Sequence, residues 1–600
     1  MFQIPDKNKR ITQVNDGDVL GTMWSSFNLN LQDNKGRIRV SPRGMIVATS
    51  DDPNTANLKT PVCFNFFNDT SPRIWAIAGR MFNNHGDPGT TWSEDTSPDT
   101  PVVGSGSDME LFNGAMYVIG SNKIMKRSLL GVWSEIQTNE GTDFTTCCVA
   151  GTRLYYSFDQ SKVKSISRAD LISSPSGIPN STQYTLQLAD NGNGGSAANY
   201  ITSIRASSNR VWIATMNADS NTKTGGRNGA IYEWDGSSTT TSRRYEVGSA
   251  GVLALVIKDD VPYAMDAEGR LLAFTGSSFT EIARLPVPKD GFLKNPLAED
   301  PTLRYIHPRG IIVRDGKICV LINNEAVGTG APIYENIPSG IWVFDERIGF
   351  YHESSASQWI FDETTTRTDF GQNRLRAVGA IFNAKTVSNS GITEGNMLFG
   401  ARCYKNTSDS EYTVMMSGNT TEAVNVGYFV TTKIDASEIQ DVWQKVYITH
   451  KKLLSSADRI ILKYRTTDDD PTEATITWTS TTQFTSTDDL SDYAVGDEVE
   501  ITLGTGGGQI EHIQAISVAG GTYTVTLENA VTGTNGTAKA RFQHWKKISE
   551  QTNQNDQFKE FSLLDAPKST WIQLKCVVYF TQKDEINELT LINQKQFPAK

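Results

Sequence analysis

The sequence predicts an all-β fold, in which a multi-bladed β-propeller of about seven blades is followed by a β-sandwich with an inserted small β-barrel. One stretch, from Gly251 to Val287, reads as four short runs of strand-forming residues separated by turn residues, which is the pattern of an antiparallel meander. A similar unit recurs along the chain at intervals of roughly 40–60 residues, the length of a propeller blade with variable loops. After about residue 424 the runs become longer and alternate more regularly, which is typical of a sandwich.

The recurring unit is an apolar run, a polar turn and a second apolar run. Its turns stand at Asn113-Gly114, Ala150-Gly151, Ser208-Asn209, Asp259-Asp260 and Asp315-Gly316. A lone four-stranded meander leaves its faces and edges unprotected, so it must stack against units like itself. We therefore predict a propeller over residues 37–424, with its first blade in 37–82, a long loop in 83–106 and its last blade in 375–403.

The rest of the chain divides into three further parts. Residues 1–36 are polar and poorly periodic, and we expect an N-terminal arm that packs on the propeller or reaches a neighbouring molecule. Residues 425–470 and 543–600 carry the strands of the predicted C-terminal sandwich. Residues 471–542 form a closed set of short strands with a glycine-rich turn of its own, which predicts a small barrel inserted into the sandwich.

Composition and charge narrow the class of protein. A chain of 600 residues exceeds one hydrophobic core, and 49 Gly with only 6 His suit a β-rich protein with many turns. The net charge of -11 gives no electrostatic reason to bind duplex DNA over the surface. The first residues lack a signal-peptide core and the apolar runs are too short to cross a bilayer, so we expect cytoplasmic synthesis and no membrane insertion.

The motif search predicts no catalytic, cofactor-binding or metal-binding residue, and therefore no enzyme and no cofactor. The glycine run at 504–508 follows a strand as a phosphate loop would, but no Lys-Ser/Thr follows it, which favours a hairpin loop. The acidic run at 468–470 lacks EF-hand spacing and favours a solvated loop. The text at 89–97 lacks the residue order of a sialidase Asp box, so glycan hydrolysis has no motif to support it.

Isolated histidines, cysteines and tryptophans favour structural roles. The histidines, expected at strand ends or on the surface, are His85, His307, His352, His450, His512 and His544. The cysteines, expected as reduced core residues, are Cys63, Cys147, Cys148, Cys319, Cys403 and Cys576. Four tryptophans lie in repeated strands and are expected between blades, namely Trp133, Trp212, Trp234 and Trp342. Trp92, in a polar segment, is the candidate for an exposed sugar-stacking side chain.

Several stretches resemble propeller-bearing virion proteins of tailed bacteriophages and their proviruses. They include GAIYEWDGSS from Gly229, HPRGIIVRDGKICVLIN from His307 and SGIWVFDERIGFYH from Ser339. VGDEVEITLGTGGGQIEHI, from Val495, is similar to small barrel insertions of such tail proteins. STWIQLKCVVYFTQKDEINELTLIN, from Ser569, resembles their C-terminal sandwich strands. The resemblance covers most of 37–593 and transfers no functional residue.

The resemblance implies a structural component of the virion, in the tail tip or fibre assembly, that contributes to host-surface attachment. The expected partners are other virion tail proteins, further copies of the chain in a trimer or hexamer, and a host-surface glycan, with assembly in the bacterial cytoplasm. Two alternatives stay open. A tail-tube, nozzle or connector protein would line the DNA path, and a glycan-cleaving enzyme would gather arginines and carboxylates in an axial pocket.

Overall fold

The computed structural model describes most of the chain, with gaps at loops and termini. The described residues are 2–3, 23–27, 29–30, 39–40, 43–49, 56–85, 92–97, 108–120, 123–138, 146–158, 162–173, 184–188, 199–217, 229–249, 251–285, 306–322, 340–346, 349–355, 379–383, 397–404, 410–419, 425–431, 433–435, 441–467, 469, 471–504, 506, 509–532, 534–563, 571–580 and 586–595.

Seven four-stranded antiparallel sheets occupy the first two thirds of the described chain. In strand order, sheet 1 consists of Cys63–Asn68, Pro72–Ile77, Met81–His85 and Trp92–Glu94. Sheet 2 consists of Asp108–Phe112, Ala115–Gly120, Lys123–Arg127 and Trp133–Thr138. Sheet 3 consists of Cys147–Ala150, Arg153–Phe158, Lys162–Ser167 and Tyr184–Gln187. Sheets 4 and 5 are Asn199–Ser207, Arg210–Asn217, Ala230–Trp234 and Arg243–Glu246; and Val252–Lys258, Val261–Asp266, Arg270–Phe274 and Phe279–Arg284. Sheets 6 and 7 are Ile311–Arg314, Lys317–Ile322, Gly340–Asp345 and Gly349–Ser355; and Ile381–Asn383, Met397–Tyr404, Ser410–Asn419 and Arg43–Thr49. A short helix, Arg168–Ser173, follows the third strand of sheet 3.

The seven sheets form a ring through their first strands. Each first strand contacts the first strand of the next sheet, and that of sheet 7 contacts that of sheet 1, which closes the circle. Hydrophobic clusters fill the spaces between neighbouring sheets. Trp75 of sheet 1 packs with Met109 of sheet 2, for example, and Trp342 of sheet 6 with Leu271 of sheet 5. This is the arrangement of a β-propeller, in which stacked sheets bury each other's faces.

The sequence-predicted turns are hairpins, and their backbone conformation explains the residues found there. Asn113 and Gly114 both have positive φ angles, of 49° and 72°, and Asp315 and Gly316 have 49° and 73°. Two consecutive residues with positive φ make the tight turn whose twist matches a right-twisted strand pair, and Asn, Asp and Gly tolerate it best. The turn signals therefore located the hairpins between first and second strands.

The boundaries of sheets 1 and 7, which meet where the ring closes, differ from the prediction. The strand Arg43–Thr49 was expected in the first blade, but it pairs with Ser410–Asn419 as the outermost strand of sheet 7. It covers the edge that the third strand of that sheet would otherwise expose. The predicted long loop at 83–106 contains the strand Trp92–Glu94, which completes sheet 1.

Two C-terminal sheets face each other across one hydrophobic core. The four-stranded C-terminal sheet has the order Phe2–Gln3, Ile586–Lys595, Asp441–His450 and Phe558–Ser562. The six-stranded C-terminal sheet has the order Met23–Phe27, Asn425–Thr431, Trp571–Phe580, Arg459–Arg465 and Lys546–Gln551, with Ile434–Asp435 also paired to Trp571–Phe580. Ile448 and Phe561 of the first sheet share a cluster with Leu462 and Cys576 of the second. The described strands of the N-terminal arm thus join these sheets, and Leu29–Asn30 pairs with Arg39–Val40.

The predicted barrel is present and closed. Its strands, in order around the barrel, are Thr472–Ser480, Gln483–Ser486, Thr522–Leu527, Ile510–Ala519, Glu498–Gly504 and Thr537–Gln543. It has its own core, in which Phe484 packs against Phe542 and Trp478. The chain enters the barrel after Arg459–Arg465 and leaves it into Lys546–Gln551, two neighbouring strands of the six-stranded C-terminal sheet. Among the described helices, none is long and apolar enough to cross a membrane.

Candidate functional site

A charged cluster lies where the first strands of the ring converge. We call it the axial cluster, and its members are Asp108, Glu110, Arg205, His307 and Arg309. Asp108 and Glu110 belong to the first strand of sheet 2 and Arg205 to that of sheet 4, while His307 and Arg309 precede the first strand of sheet 6. Sheets 2 and 6 are not neighbours in the ring. A contact between them must therefore cross the centre.

Arg309 and Asp108 make that contact as a two-pronged ion pair. Arg309 Nε donates to Asp108 Oδ1 at 2.9 Å, and Arg309 Nη2 donates to Asp108 Oδ2 at 2.8 Å. The backbone N–H of Cys147 also donates to Asp108 Oδ2, at 2.9 Å. Burial by itself would raise the pKa of Asp108, but the Arg309 guanidinium outweighs it and holds the pKa below its usual value. Asp108 is therefore ionised at neutral pH.

Glu110 lies on the same strand, two residues further on, and is held more loosely. Its carboxylate is 3.6 Å from Arg309 Nη1 and accepts a long hydrogen bond, 3.4 Å, from Asn65 Nδ2. Burial raises the pKa of Glu110, and the neighbouring Asp108 adds to this effect, while Arg309 opposes it. The net direction is upward, so Glu110 takes up a proton more readily than an ordinary glutamate.

Thiols and an imidazole surround the two carboxylates, but none is charged near neutral pH. Burial raises the pKa of Cys148 to about 12 and shifts the pKa values of Cys63 and Cys147 upward as well. Burial lowers the pKa of His307 to about 4, and its Nδ1 accepts a hydrogen bond from the backbone N–H of Arg309 at 3.1 Å. The thiols therefore lack the thiolate character of a nucleophile.

The second polar site joins the barrel to the six-stranded C-terminal sheet. Glu498, on the outer face of the barrel, forms ion pairs with Lys463 and with Lys575, the latter at 3.4 Å. All three side chains are at most 5% exposed. Burial would raise the pKa of Glu498, but the two ammonium groups lower it to about 2. Lys463 and Lys575 lie opposite each other on neighbouring strands, so the carboxylate also relieves their mutual repulsion.

Two further polar residues flank Glu498 across the barrel strands. His512 and Gln543 are the direct neighbours of Glu498 on the two adjacent strands, and both are buried. Burial lowers the pKa of His512 to about 3, and Lys463 adds to the shift. Neither His512 Nε2 nor Gln543 Oε1 has a hydrogen-bond partner among the residues that the structure describes. We call Lys463, Glu498, His512, Gln543 and Lys575 the barrel junction. It combines buried polar atoms that lack hydrogen bonds, which are unfavourable, with the two buried ion pairs of Glu498.

Aromatic rings complete the barrel junction. The guanidinium of Arg465 lies 4.6 Å from the ring centre of Trp545, and Lys575 Nζ lies 5.3 Å from the same ring. Tyr493 of the barrel stacks on His544, with ring centres 4.6 Å apart and an interplanar angle of 12°. The connection that leaves the barrel thus packs against the sheet through Trp545 and against the barrel through His544, which fixes the barrel's orientation.

The candidate sugar-stacking residue is not exposed, so that expectation was wrong. Trp92 is only 4% exposed, because it is a strand residue of sheet 1 whose ring packs edge-on against Phe64 at 6.4 Å. The strands on either side of the glycine run at 504–508 pair as a hairpin, as predicted. In the acidic run, Asp469 is exposed, as expected for a solvated loop, while residues 468 and 470 lie outside the described residues.

The histidine prediction was also wrong for two residues, and the tryptophan and cysteine predictions were mostly confirmed. His352 and His512 are buried inside strands, whereas His450, although buried, is the last residue of the strand Asp441–His450. The four tryptophans predicted between blades are at most 3% exposed, namely Trp133, Trp212, Trp234 and Trp342. Five cysteines are free and buried, namely Cys63, Cys147, Cys148, Cys319 and Cys576, while the side chain of Cys403 lies outside the described residues. No group of three or more His, Cys, Asp or Glu in the described part of the chain is arranged to hold a metal ion.

Sequence reasoning missed both polar sites. A signal for the axial cluster was present, since Asp108 and Glu110 place two carboxylates in the first strand of a repeat where the other units carry mainly apolar or neutral residues. Arg309, which contacts both carboxylates, is 201 residues from Asp108 in the chain. No spacing rule links residues that meet only because a ring of sheets closes.

Comparison with known proteins identifies no family. No family model matches the chain, and no curated protein matches it. Among solved structures, BBS1N in complex with ARL6DN is 10% identical, with a TM-score of 0.36 over 64% of this chain and 99% of that chain. The β-propeller domain of Cps50 (Swd1) from Myceliophteria thermophila is 6% identical, with a TM-score of 0.34 over 62% of this chain and 99% of that one. BamB from Moraxella catarrhalis is 9% identical, with a TM-score of 0.29 over 62% and 97%. These scores are too low to carry an argument, so the propeller character rests on the strand pairing itself.

Proposed function

We propose that this chain is a structural component of a tailed-bacteriophage virion, in the tail tip or fibre assembly, where it contributes to host-surface attachment. We infer that the seven sheets are the blades of a seven-bladed propeller closed by the strand Arg43–Thr49, and that the two C-terminal sheets form a β-sandwich. The sequence resemblance to phage propeller proteins motivates this assignment, and three features of the molecule support it.

The barrel junction is the observation that carries the proposal. A six-stranded barrel with its own core is inserted between two strands of the six-stranded C-terminal sheet and is fixed there by the buried contacts of Glu498 with Lys463 and Lys575. A module held so firmly presents its far end in one direction relative to the rest of the chain. A component that contacts a surface or a neighbouring subunit in every copy of an assembly needs such a fixed orientation.

The far end of the barrel is suited to such contacts. The turn at Gly520-Gly521 has positive φ angles of 59° and 79°, and nothing lies within 4 Å of a side chain added at either position. Val518, next to this turn, is 60% exposed. An exposed hairpin with short side chains is able to approach another surface closely.

The axial cluster supports a structural role for the ring. Asp108 satisfies Arg309 through two hydrogen bonds, and this pair connects sheets on opposite sides of the centre. A buried ion pair whose hydrogen bonds are made within the protein is costly to break, which suits a structural role. Such a cross-link makes the ring a rigid platform.

Particle purification and antibody blocking test the proposal. The chain should co-purify with infectious particles through a density gradient, and a Fab raised against the Gly520-Gly521 hairpin should bind intact particles and reduce their adsorption to cells. A control Fab against the exposed loop of sheet 2 at Leu129-Leu130, which is 56% and 81% exposed at the two residues, distinguishes blocking at the barrel from general steric interference. Absence of the chain from purified particles would overturn the assignment.

A glycan-cleaving enzyme is the second candidate, because the axial cluster brings two carboxylates and two arginines together. Glu110, with its raised pKa, would be the proton donor in that case, and Asp108, with its lowered pKa, the ionised partner. Release of reducing sugar from host-surface polysaccharide, abolished by Glu110→Gln, would establish this function. Unchanged polysaccharide after incubation with the full chain would exclude it for that substrate.

A further inference from the structure

We propose that Arg205, at the centre of the ring, is the binding site for the carboxylate group of a ligand that enters along the axis. This inference does not depend on the virion assignment or on the enzyme alternative. It rests on three properties of the axial cluster: the partners of Arg205, the saturation of Arg309, and the access of solvent to the cluster.

Within the described residues, Arg205 donates hydrogen bonds to backbone carbonyl groups alone. Its Nη1 donates to the carbonyl oxygen of Ile204 at 2.8 Å, and its Nη2 donates to the carbonyl oxygen of Pro308 at 3.3 Å. No carboxylate of the described chain forms an ion pair with it, although Arg309 beside it has two. Asp108 and Glu110 act on Arg205 only from a distance, so a carboxylate placed directly against its guanidinium gains a hydrogen-bonded ion pair that the described chain does not supply.

Arg309 is not the site for the incoming carboxylate, because its Nε and Nη2 donors are already engaged. Nε and Nη2 bind the carboxylate of Asp108, and Nη2 also donates to the carbonyl oxygen of Cys147 at 3.0 Å. Burial lowers the pKa of Arg205 and the positive charge of Arg309 lowers it further, while the carboxylates of Asp108 and Glu110 oppose both effects without reversing them. The positive potentials of the two guanidinium groups therefore add. Of the two, Arg309 is the one whose charge is neutralised by carboxylates in direct contact.

Solvent reaches the cluster despite its depth in the fold. The side chain of Arg309 is 20% exposed and that of Glu110 is 24% exposed, whereas Asp108 beneath them is 3% exposed. Because these residues lie on first strands or directly before one, at the centre of the ring, the exposed atoms face the axis. A ligand group of the width of a carboxylate therefore has a path to the cluster.

The charge balance selects a monoanion. The axial cluster holds two guanidinium groups and two carboxyl groups, those of Asp108 and Glu110, and the raised pKa of Glu110 lets this residue take up a proton when a further carboxylate binds. A planar carboxylate accepts two parallel N–H bonds from a guanidinium and adds a single negative charge. Such a group comes either from an acidic sugar of a surface polysaccharide or from a free small organic acid, and the two sources share this chemistry.

Calorimetric titration of the full chain with defined probes tests the proposal. The probes are glucuronate and acetate, with glucose as the neutral comparison. Arg205→Gln removes the charge and keeps hydrogen-bond donors, so it should weaken carboxylate binding at least about tenfold. Arg210→Gln is the matched control, because Arg210 lies on the next strand of the same sheet, is 47% exposed and pairs with Glu233. It should leave the affinity unchanged.

A second variant keeps the test decisive if Arg205→Gln fails to fold. Glu110→Gln removes a negative charge near the site and should tighten carboxylate binding on the order of tenfold. In both supporting outcomes, glucose does not bind. Tighter binding of glucuronate than of acetate would then identify an acidic-sugar site. Equal binding of glucuronate and acetate would identify a site for small organic acids. No saturable binding of either acid, equal affinity in Arg205→Gln, or weaker binding in Glu110→Gln would overturn the proposal.

Discussion

Arg309 and Asp108 stand 201 residues apart in the chain, yet two hydrogen bonds of 2.8 and 2.9 Å join their side chains across the centre of the ring. Sheets 2 and 6, which carry these residues, are separated by other sheets on both sides. The pair therefore ties together parts of the ring whose own edges never meet. Its contribution to stability is directly measurable.

Asp108→Asn should destabilise the protein by about 3 kcal/mol, because removal of one partner leaves the buried Arg309 without its charge balance. Urea unfolding followed by tryptophan fluorescence measures the loss. Glu135→Gln, in the same sheet, is the matched control: its ion pair with Lys123 is well exposed and should be worth less than about 1 kcal/mol. Equal losses in the two variants would contradict the role assigned to the axial pair.

Glu498→Gln should loosen the barrel from the six-stranded C-terminal sheet, since Lys463 and Lys575 would then repel each other without a carboxylate between them. The expected cost is about 3 kcal/mol or more. Hydrogen exchange should rise at Lys463, Lys575 and the adjoining backbone, while the core of the barrel stays protected. Glu473→Gln, which breaks the partly exposed pair with Lys539, provides the comparison and should change neither region.

Stability should fall on acidification from pH 7 to pH 5, in part because of His512. Its pKa is lowered from 6.5 to about 3 by burial, so below pH 6.5 the unfolded chain binds a proton there that the folded chain does not. This favours unfolding by about 2 kcal/mol at pH 5. His512→Gln should reduce the loss between pH 7 and pH 5 by that amount, measured as the difference between the two pH values. An unchanged pH dependence would show that His512 is protonated in the folded state.

Gly379→Ala should weaken the seam between sheets 7 and 1. A Cβ at this position would lie 1.7 Å from the carbonyl oxygen of Pro61, whose backbone also accepts a hydrogen bond from Ala380. Because a backbone atom cannot move aside cheaply, we expect a loss of more than about 2 kcal/mol. Gly520→Ala, in an open turn with positive φ, should cost only about 1 kcal/mol. A smaller loss for Gly379→Ala than for Gly520→Ala would contradict this packing.

The sequence predicted the parts of the fold that local patterns encode. The turns at Asn113-Gly114 and Asp315-Gly316, the buried tryptophans and the inserted barrel all follow from strand periodicity and turn chemistry, which act over a few residues. The pairing of Arg43–Thr49 with Ser410–Asn419 does not follow from such local patterns, because strand alternation does not predict which distant sheet edge a strand completes. The predictions therefore failed at the closure of the ring.

The candidate site was less predictable than the fold for a related reason. Arg309 and Arg205 carry no recognisable motif, and they meet Asp108 and Glu110 only through the arrangement of three different sheets. Trp92 illustrates the opposite error. Its polar neighbours in the sequence favoured an exposed loop, but the pairing of Asn84 with Trp92 placed its ring in the core of sheet 1.

Cryo-electron microscopy of the purified native particle tests the central claim most directly, because it locates every copy of the chain and its neighbours. The proposal predicts three or six copies around the tail axis, at the tip or in a fibre, with the barrel or a propeller face directed outward. Copies closed around the DNA channel with no outward-facing surface would instead establish a conduit or connector, and a particle without the chain would contradict the virion assignment altogether.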